Sequence, residues 1–355
     1  MKEKLFTAGP VAMFPDTLRI GGQQSPYFRT EEFSGIALET ERWMCALAGA
    51  PAESRLILLT CSGSGAMEAA VLNAVGPGDR VLIIVGGDFG QRFCDICAAH
   101  GVDFDVVRLL PGHTLTVEQI ESLPLDSYHA LLVNAHETST GVLYDLMRLG
   151  QACARTGTLF IVDAVSSFLC DPIDMEKMSI DSLITSSQKA LALAPGLSLL
   201  LLGPRSVALA RAGKVPSLYF ALDRYLADGE RGQTPFTPAV NVVLQLHQRA
   251  RNLVTAGAQS ETTRCAQLAH HFRASLSGLP LRMFPDLPSN ALTALQPTDG
   301  RSAFEIFQQL RSRFGLVVTP SGGNLRHILF RVGHMGNLCQ TDLELLSGAL
   351  KEIMQ

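Results

Sequence analysis

Lys189 stands in SSQKALALAPGLSLLLLG, a stretch from Ser186 to Gly203 that carries no other charge. A strongly hydrated cation seldom enters apolar surroundings unless something pairs with it or uses it. The other five lysines lie at the chain ends (Lys2, Lys4, Lys351) or in polar settings, Lys177 in DMEKMS and Lys214 in RAGKVP. A lysine held in a poorly solvated pocket loses affinity for its proton and becomes an amine nucleophile. Asp163, in FIVDAVSS, ends a strongly apolar run 26 residues earlier. A carboxylate there needs a donor or a cation to meet; taken alone, it serves equally as a helix N-cap.

A third feature is CSGSGAMEAA, a glycine-rich turn after the apolar run SRLILLT and before a helical pattern. Such a turn exposes backbone N–H groups at the positive end of a helix, where an anion binds, with Ser62 and Ser64 as further donors. Turns of this kind also simply connect elements. This one has neither the Gly-Lys-Ser/Thr ending of a Walker loop nor a G-x-G-x-x-G fingerprint. A strand-end aspartate, a strand-end lysine and an anion cradle together point to pyridoxal phosphate. The lysine would form the covalent link, the aspartate would hold the pyridinium nitrogen and the cradle the phosphate.

The elements that must position these residues read as an α/β chain. Apolar runs alternate with helical patterns through the first two-thirds, and near-continuous apolar strands mark a mainly parallel sheet covered by helices on both faces. In such folds ligands gather at the carboxyl ends of the strands. Ser62, Phe89, Thr138, Asp163 and Lys189 all follow apolar runs, so one pocket can collect them. After GQTPFTPAVN the texture changes. A long helical stretch from Val240 to about Leu276 leads into a smaller α+β unit, giving a division into residues 1–250 and 251–355.

Composition narrows the class. With 355 residues, 47% of them hydrophobic, the chain is long enough for two domains. Its net charge of -4 and the absence of a basic run argue against a nucleic-acid surface. The longest apolar run, Leu191 to Leu202, is broken by Pro195-Gly196 and is shorter than a membrane span. MKEKLFTAGP has no apolar core for a signal peptide. The expectation is a soluble cytoplasmic enzyme with reduced thiols. Cys94-x-x-Cys97 falls in an amphipathic helix ending at Gly101 with no second pair at zinc spacing, so no metal site is expected.

Taken in order, AGP, SGSGAMEAA, GGDFGQR, HETSTGVL, VDAVSS, SSQKAL, TPFTPAV and FRVGHMG form a specific set spanning nearly the whole chain. The sequence resembles the class V pyridoxal-phosphate-dependent aminotransferases of fold type I. It is most similar to the group that includes alanine–glyoxylate, serine–pyruvate and 2-aminoethylphosphonate–pyruvate aminotransferases. The resemblance implies a large domain with a mainly parallel seven-stranded sheet and a smaller C-terminal domain. It implies that Lys189 carries the Schiff-base link and that Asp163 pairs with the pyridine nitrogen. Phe89 would stack on the cofactor ring and Thr138 would bond its phenolic oxygen. Ser62, Gly63, Ser64 and Gln188 would form the phosphate cup. Thr237 would reach the phosphate of a neighbouring subunit, which makes the enzyme a homodimer with shared active sites. Arg331 would grip the substrate carboxylate. Thr234 departs from those relatives that have a tyrosine there.

The activity so implied is transfer of an amino group from a small amine or amino acid to a small 2-oxo acid, pyruvate or glyoxylate. Alanine or serine is the donor in one reading and 2-aminoethylphosphonate in the other, with Arg29 and Tyr27 as candidates for a second anionic group or for a surface contact. A cysteine desulfurase or selenocysteine lyase fits less well, because Gln188 and Phe89 stand where those enzymes have histidine. A non-catalytic cofactor-binding regulator would lack the lysine or carry an added nucleic-acid-binding domain.

Overall fold

The computed structural model describes residues 3–213 and 215–355. In chain order its strands begin with β1 (Lys4–Phe6), β2 (Arg55–Leu59), β3 (Arg80–Val85), β4 (Asp103–Arg108) and β5 (Ala130–Asn134). A short hairpin, β6 (His136–Glu137) and β7 (Val142–Leu143), precedes β8 (Leu159–Asp163), β9 (Ser182–Ser186) and β10 (Ser198–Leu202). The last four are β11 (Leu281–Met283), β12 (Leu292–Pro297), β13 (Leu316–Pro320) and β14 (Phe330–Gly333).

Seven of these form the expected sheet, in the order β2-β10-β9-β8-β5-β3-β4. Only β10 runs antiparallel, to both of its neighbours. The other five junction strands are therefore aligned with β2, and their carboxyl ends share one edge. Alternation along the strands divides the apolar side chains between two cores, as the two-residue period of a strand requires. Leu56, Leu58, Phe160 and Val162 face one; Ile57, Leu59, Leu159 and Ile161 face the other. Both faces are covered by helices, which is why these strands are apolar throughout.

The second sheet has the order β1-β13-β14-β12-β11 and packs against helices Ser260–Ser275, Ala303–Phe314 and Gln340–Met354. β1 pairs in parallel with β13 and sends Phe6 into this core, so the sheet is built from both ends of the chain. The expected division at residue 250 falls inside the helix Val240–Ala256. The helical stretch expected from Val240 to Leu276 is two helices, not one. It breaks at Gly257, whose φ of 99° is open to glycine but rarely to other residues. Among the described residues no helix is long and apolar enough to cross a membrane.

Candidate active site

The strand-end residues collect along the carboxyl edge of the large sheet. β2 leads to Ser62, β3 to Phe89, β5 to Thr138, β8 ends at Asp163 and β9 leads to Lys189. Neighbouring registers place Asn134, Asp163 and Ile184 side by side.

Lys189 is half-buried, and its Nζ donates to the carbonyl oxygen of the buried Ala8 at 2.6 Å. Burial pushes its ammonium down to about 8 against the attraction of Asp163, and Arg331 adds to the fall. Asp163 is buried, with one oxygen accepting the Val165 N–H at 2.9 Å. Its carboxyl is lifted to about 6 by burial, opposed first by that N–H and then by Lys189. Each charge is thus costly in its place, and each offsets part of the other's cost.

Ser62 is the N-cap of the helix Gly63–Ala74, but its hydroxyl makes no capping bond and is exposed. Ser64 accepts from Arg92 Nη1 at 2.8 Å. Arg92 also lies over the Phe89 ring, 5.0 Å from its centroid. Gln188 Oε1 accepts from Ser186 at 2.7 Å, and its backbone carbonyl holds the Val11 N–H. The cup, the aromatic ring and an arginine are therefore contiguous. A Cβ on Gly63 would come within 2.9 Å of Val165, so the helix start sits against the loop after Asp163 because residue 63 is glycine.

Arg331 lies on β14 and reaches across to the large sheet. Its Nη1 donates to the Thr138 carbonyl at 2.8 Å and its Nη2 to the Pro320 carbonyl at 2.7 Å. Its buried Nε has no partner among the described residues. Burial lowers its pKa, while Asp88 and Glu137 act in the opposite sense. The Thr138 hydroxyl bonds Ser166 at 2.7 Å. Thr237 is exposed on the segment before helix Val240–Ala256, and its hydroxyl has no hydrogen-bond partner among the described residues; two residues on, the Ala239 N–H donates to Thr60 at 3.0 Å. Arg29 donates to the Thr234 carbonyl at 2.9 Å, and Tyr27 is exposed.

Four side chains inside the quoted motifs belong to this arrangement although the sequence reading assigned them nothing: Arg92, Glu137, His136 and Ser166. Glu137 is fully buried and accepts from the Phe89 and Gly90 N–H groups, Asn134 and both Ser139 donors. It thereby anchors the start of helix Asp88–His100, which carries Phe89 and Arg92. The helix approaches closely enough that a Cβ on Gly90 would lie 2.7 Å from the Ile84 carbonyl. A glutamate next to a histidine at the end of an apolar strand was the available signal. Cys94 and Cys97 are buried on the same helix as free thiols.

The chain is similar to proteins of known family. A 2-aminoethylphosphonate–pyruvate transaminase of Pseudomonas fluorescens is 32% identical over 83% of this chain and 81% of its own. A soluble hydrogenase 42 kDa subunit of Anabaena cylindrica is 30% identical, over 89% and 83%. The crystal structure of an alanine–glyoxylate aminotransferase from Nostoc sp. superimposes with a TM-score of 0.93 at 25% identity, covering 100% of this chain and 96% of that one. The model of the aminotransferase class-V family matches residues 23–292, and the chain belongs to that family.

Proposed function

We propose that this class V aminotransferase moves an amino group from alanine or serine to glyoxylate or pyruvate, using Lys189 as its proton-transfer base. The family's cofactor is pyridoxal phosphate, and the residues present suit it. They offer a lysine Nζ hydrogen-bonded to the Ala8 carbonyl, an Asp163 oxygen beyond the one bonded to Val165, an uncapped Ser62 hydroxyl and an Arg331 Nε unsatisfied among the described residues.

Bound there, the cofactor supplies an aldehyde that condenses with amines and a ring that draws off the electrons left when Cα loses its proton. Lys189 then takes the proton from the donor's Cα at Nζ and returns it on the cofactor side. Its lowered proton affinity suits that task near neutral pH. Asp163 holds a proton on the ring nitrogen through a charge-assisted bond. Phe89 covers one ring face and excludes water. Ser62, Gly63, Ser64 and Gln188 hold the phosphate, with the Arg92 guanidinium as the nearby cation. Arg331 takes the carboxylate of the 2-oxo acid through its free Nε.

Thr237, with an exposed and unengaged hydroxyl, serves the cup of a second subunit in a cytoplasmic homodimer. The observation that carries the reading is the Lys189–Asp163 pair, two mutually dependent charges at adjacent strand ends. A second reading takes 2-aminoethylphosphonate as donor, and the 32% identity to a transaminase of that name favours it.

The test is the absorbance of the purified holoenzyme, with alanine, serine or 2-aminoethylphosphonate added singly and no acceptor. A band in the region of about 410–430 nm is expected to disappear with alanine or serine. Loss with 2-aminoethylphosphonate alone establishes the second reading. If the band forms equally in Lys189→Ala, the role given to Lys189 is wrong.

A further inference from the structure

Behind Thr138 lies a buried chain of side chains that the transamination chemistry above does not use. The Thr138 hydroxyl is 2.7 Å from the Ser166 hydroxyl, and Ser166 is 2.9 Å from His136 Nδ1. The exposures of the three are 4%, 4% and 2%. His136 Nε2 is buried and has no partner among the described residues. Lys189, Arg331 and Arg273 are the charged groups that act on the ring.

The chemistry of the three groups favours one direction for each hydrogen bond. Burial holds the imidazole neutral, pushing its pKa down to about 3, with Lys189 contributing next. A neutral ring has a single N–H. On Nε2 that hydrogen would be a buried donor with nothing to meet, the costlier kind of orphan. On Nδ1 it meets Ser166, and Nε2 is left as an unfilled acceptor. Ser166, having accepted that bond, has one hydrogen to give. Its nearest acceptor is the Thr138 oxygen at 2.7 Å; the alternative, the His136 carbonyl, is at 3.4 Å. Thr138 must then direct its own hydrogen outward.

We infer that His136 is a positioning residue, acting through Ser166 to make the Thr138 hydroxyl an obligate donor to the cofactor's phenolic oxygen. The inference rests on the proposed function and on Thr138 bonding the cofactor's phenolic oxygen, as the family resemblance implies. A hydroxyl held in this sense favours the ionised phenolic oxygen, and the pH at which the bound cofactor changes its absorbance reports that preference directly.

The experiment is a spectrophotometric pH titration of the holoenzyme and four variants without substrate. Thr138→Val tests the underlying reading and is expected to raise the midpoint by about one unit, a tenfold change in proton affinity. His136→Leu, which leaves Ser166 free to accept from Thr138, is expected to raise it by a smaller amount, and Ser166→Ala, which removes that competing acceptor, to leave it near the original value. His136→Asn, whose amide nitrogen can donate where Nδ1 stood, is expected to restore most of the original midpoint. If Thr138→Val shifts the midpoint and His136→Leu does not, or Ser166→Ala shifts it as far as Thr138→Val, the relay is overturned while the role of Thr138 stands. Equal shifts in His136→Leu and His136→Asn also overturn it, because a packing role would not distinguish a donor from its absence. No shift in Thr138→Val removes both. His136→Ala takes the place of His136→Leu in the comparison should the latter fail to fold.

Discussion

Lys189 Nζ donates to the carbonyl oxygen of Ala8 at 2.6 Å, joining residues 181 positions apart. The opening segment is held there from both sides. The Ala8 N–H donates to Thr319 at 2.7 Å and the Val11 N–H to the Gln188 carbonyl at 3.2 Å. The first sheet strand and the loop after it therefore bring part of the second sheet's framework onto Lys189.

Gly9 makes this approach possible. A Cβ there would lie 2.7 Å from Lys189 Cδ, and its φ of 130° disfavours any other residue. Gly9→Ala is expected to leave the protein folded but move the lysine stem, lowering turnover about 10–100-fold. Single-turnover absorbance changes with alanine would show the slowing in the proton-transfer step.

Asp163→Asn tests the cost of a buried carboxylate. Its pKa of about 6 exceeds the unfolded value, so the folded chain binds the extra proton between about pH 4 and 6. Stability contributed by this group is present below that window and is lost as pH rises through it. The cofactor-free variant is expected to be about 1–2 kcal/mol more stable than the wild type above pH 6 and no different below pH 4. The full shift is not realised, because Lys189 loses a carboxylate that eases its own burial. Urea titrations across pH measure the difference, and turnover of the loaded variant is expected to collapse.

Arg331→Lys keeps the charge and removes the planar fork. The KM for the 2-oxo acid is expected to rise about 10–100-fold with a smaller change in kcat. Steady-state kinetics with glyoxylate and pyruvate measure both parameters.

Glu137→Ala strips the shared acceptor from three backbone N–H groups and two side-chain donors around the start of helix Asp88–His100. A loss of about 3–5 kcal/mol is expected, with Glu137→Gln losing less, measured by denaturant unfolding. Cofactor affinity should fall in parallel, since Phe89 and Arg92 are carried by that helix.

Arg92→Gln separates the phosphate from the rest of the cofactor. Removal of the cation bonded to Ser64 is expected to weaken pyridoxal phosphate binding about tenfold. Binding of pyridoxal, which has no phosphate, should stay the same. Spectral titrations of the cofactor-free protein with each compound provide the comparison.

The features that are local in the chain were legible in its sequence. Apolar runs between turns marked the strands of the large sheet, because a strand buried on both faces has no polar face to show. Lys189 and Asp163 stood out because their charges sit where solvation is poor, a property of their immediate neighbours. The helix ending at Gly101 was equally local: that glycine has φ 66° in a left-handed cap. What depended on distant partners was not legible. Nothing near Lys4–Phe6 indicates that these residues pair with Leu316–Val318. Nothing near Arg331 specifies that it bonds the Thr138 carbonyl 193 residues away. His136 and Glu137 are adjacent and both buried, yet one joins a hydroxyl chain and the other clamps a helix start. Side chains alternate across a strand, so neighbours in sequence meet different surroundings. Those surroundings exist only once the sheet has assembled.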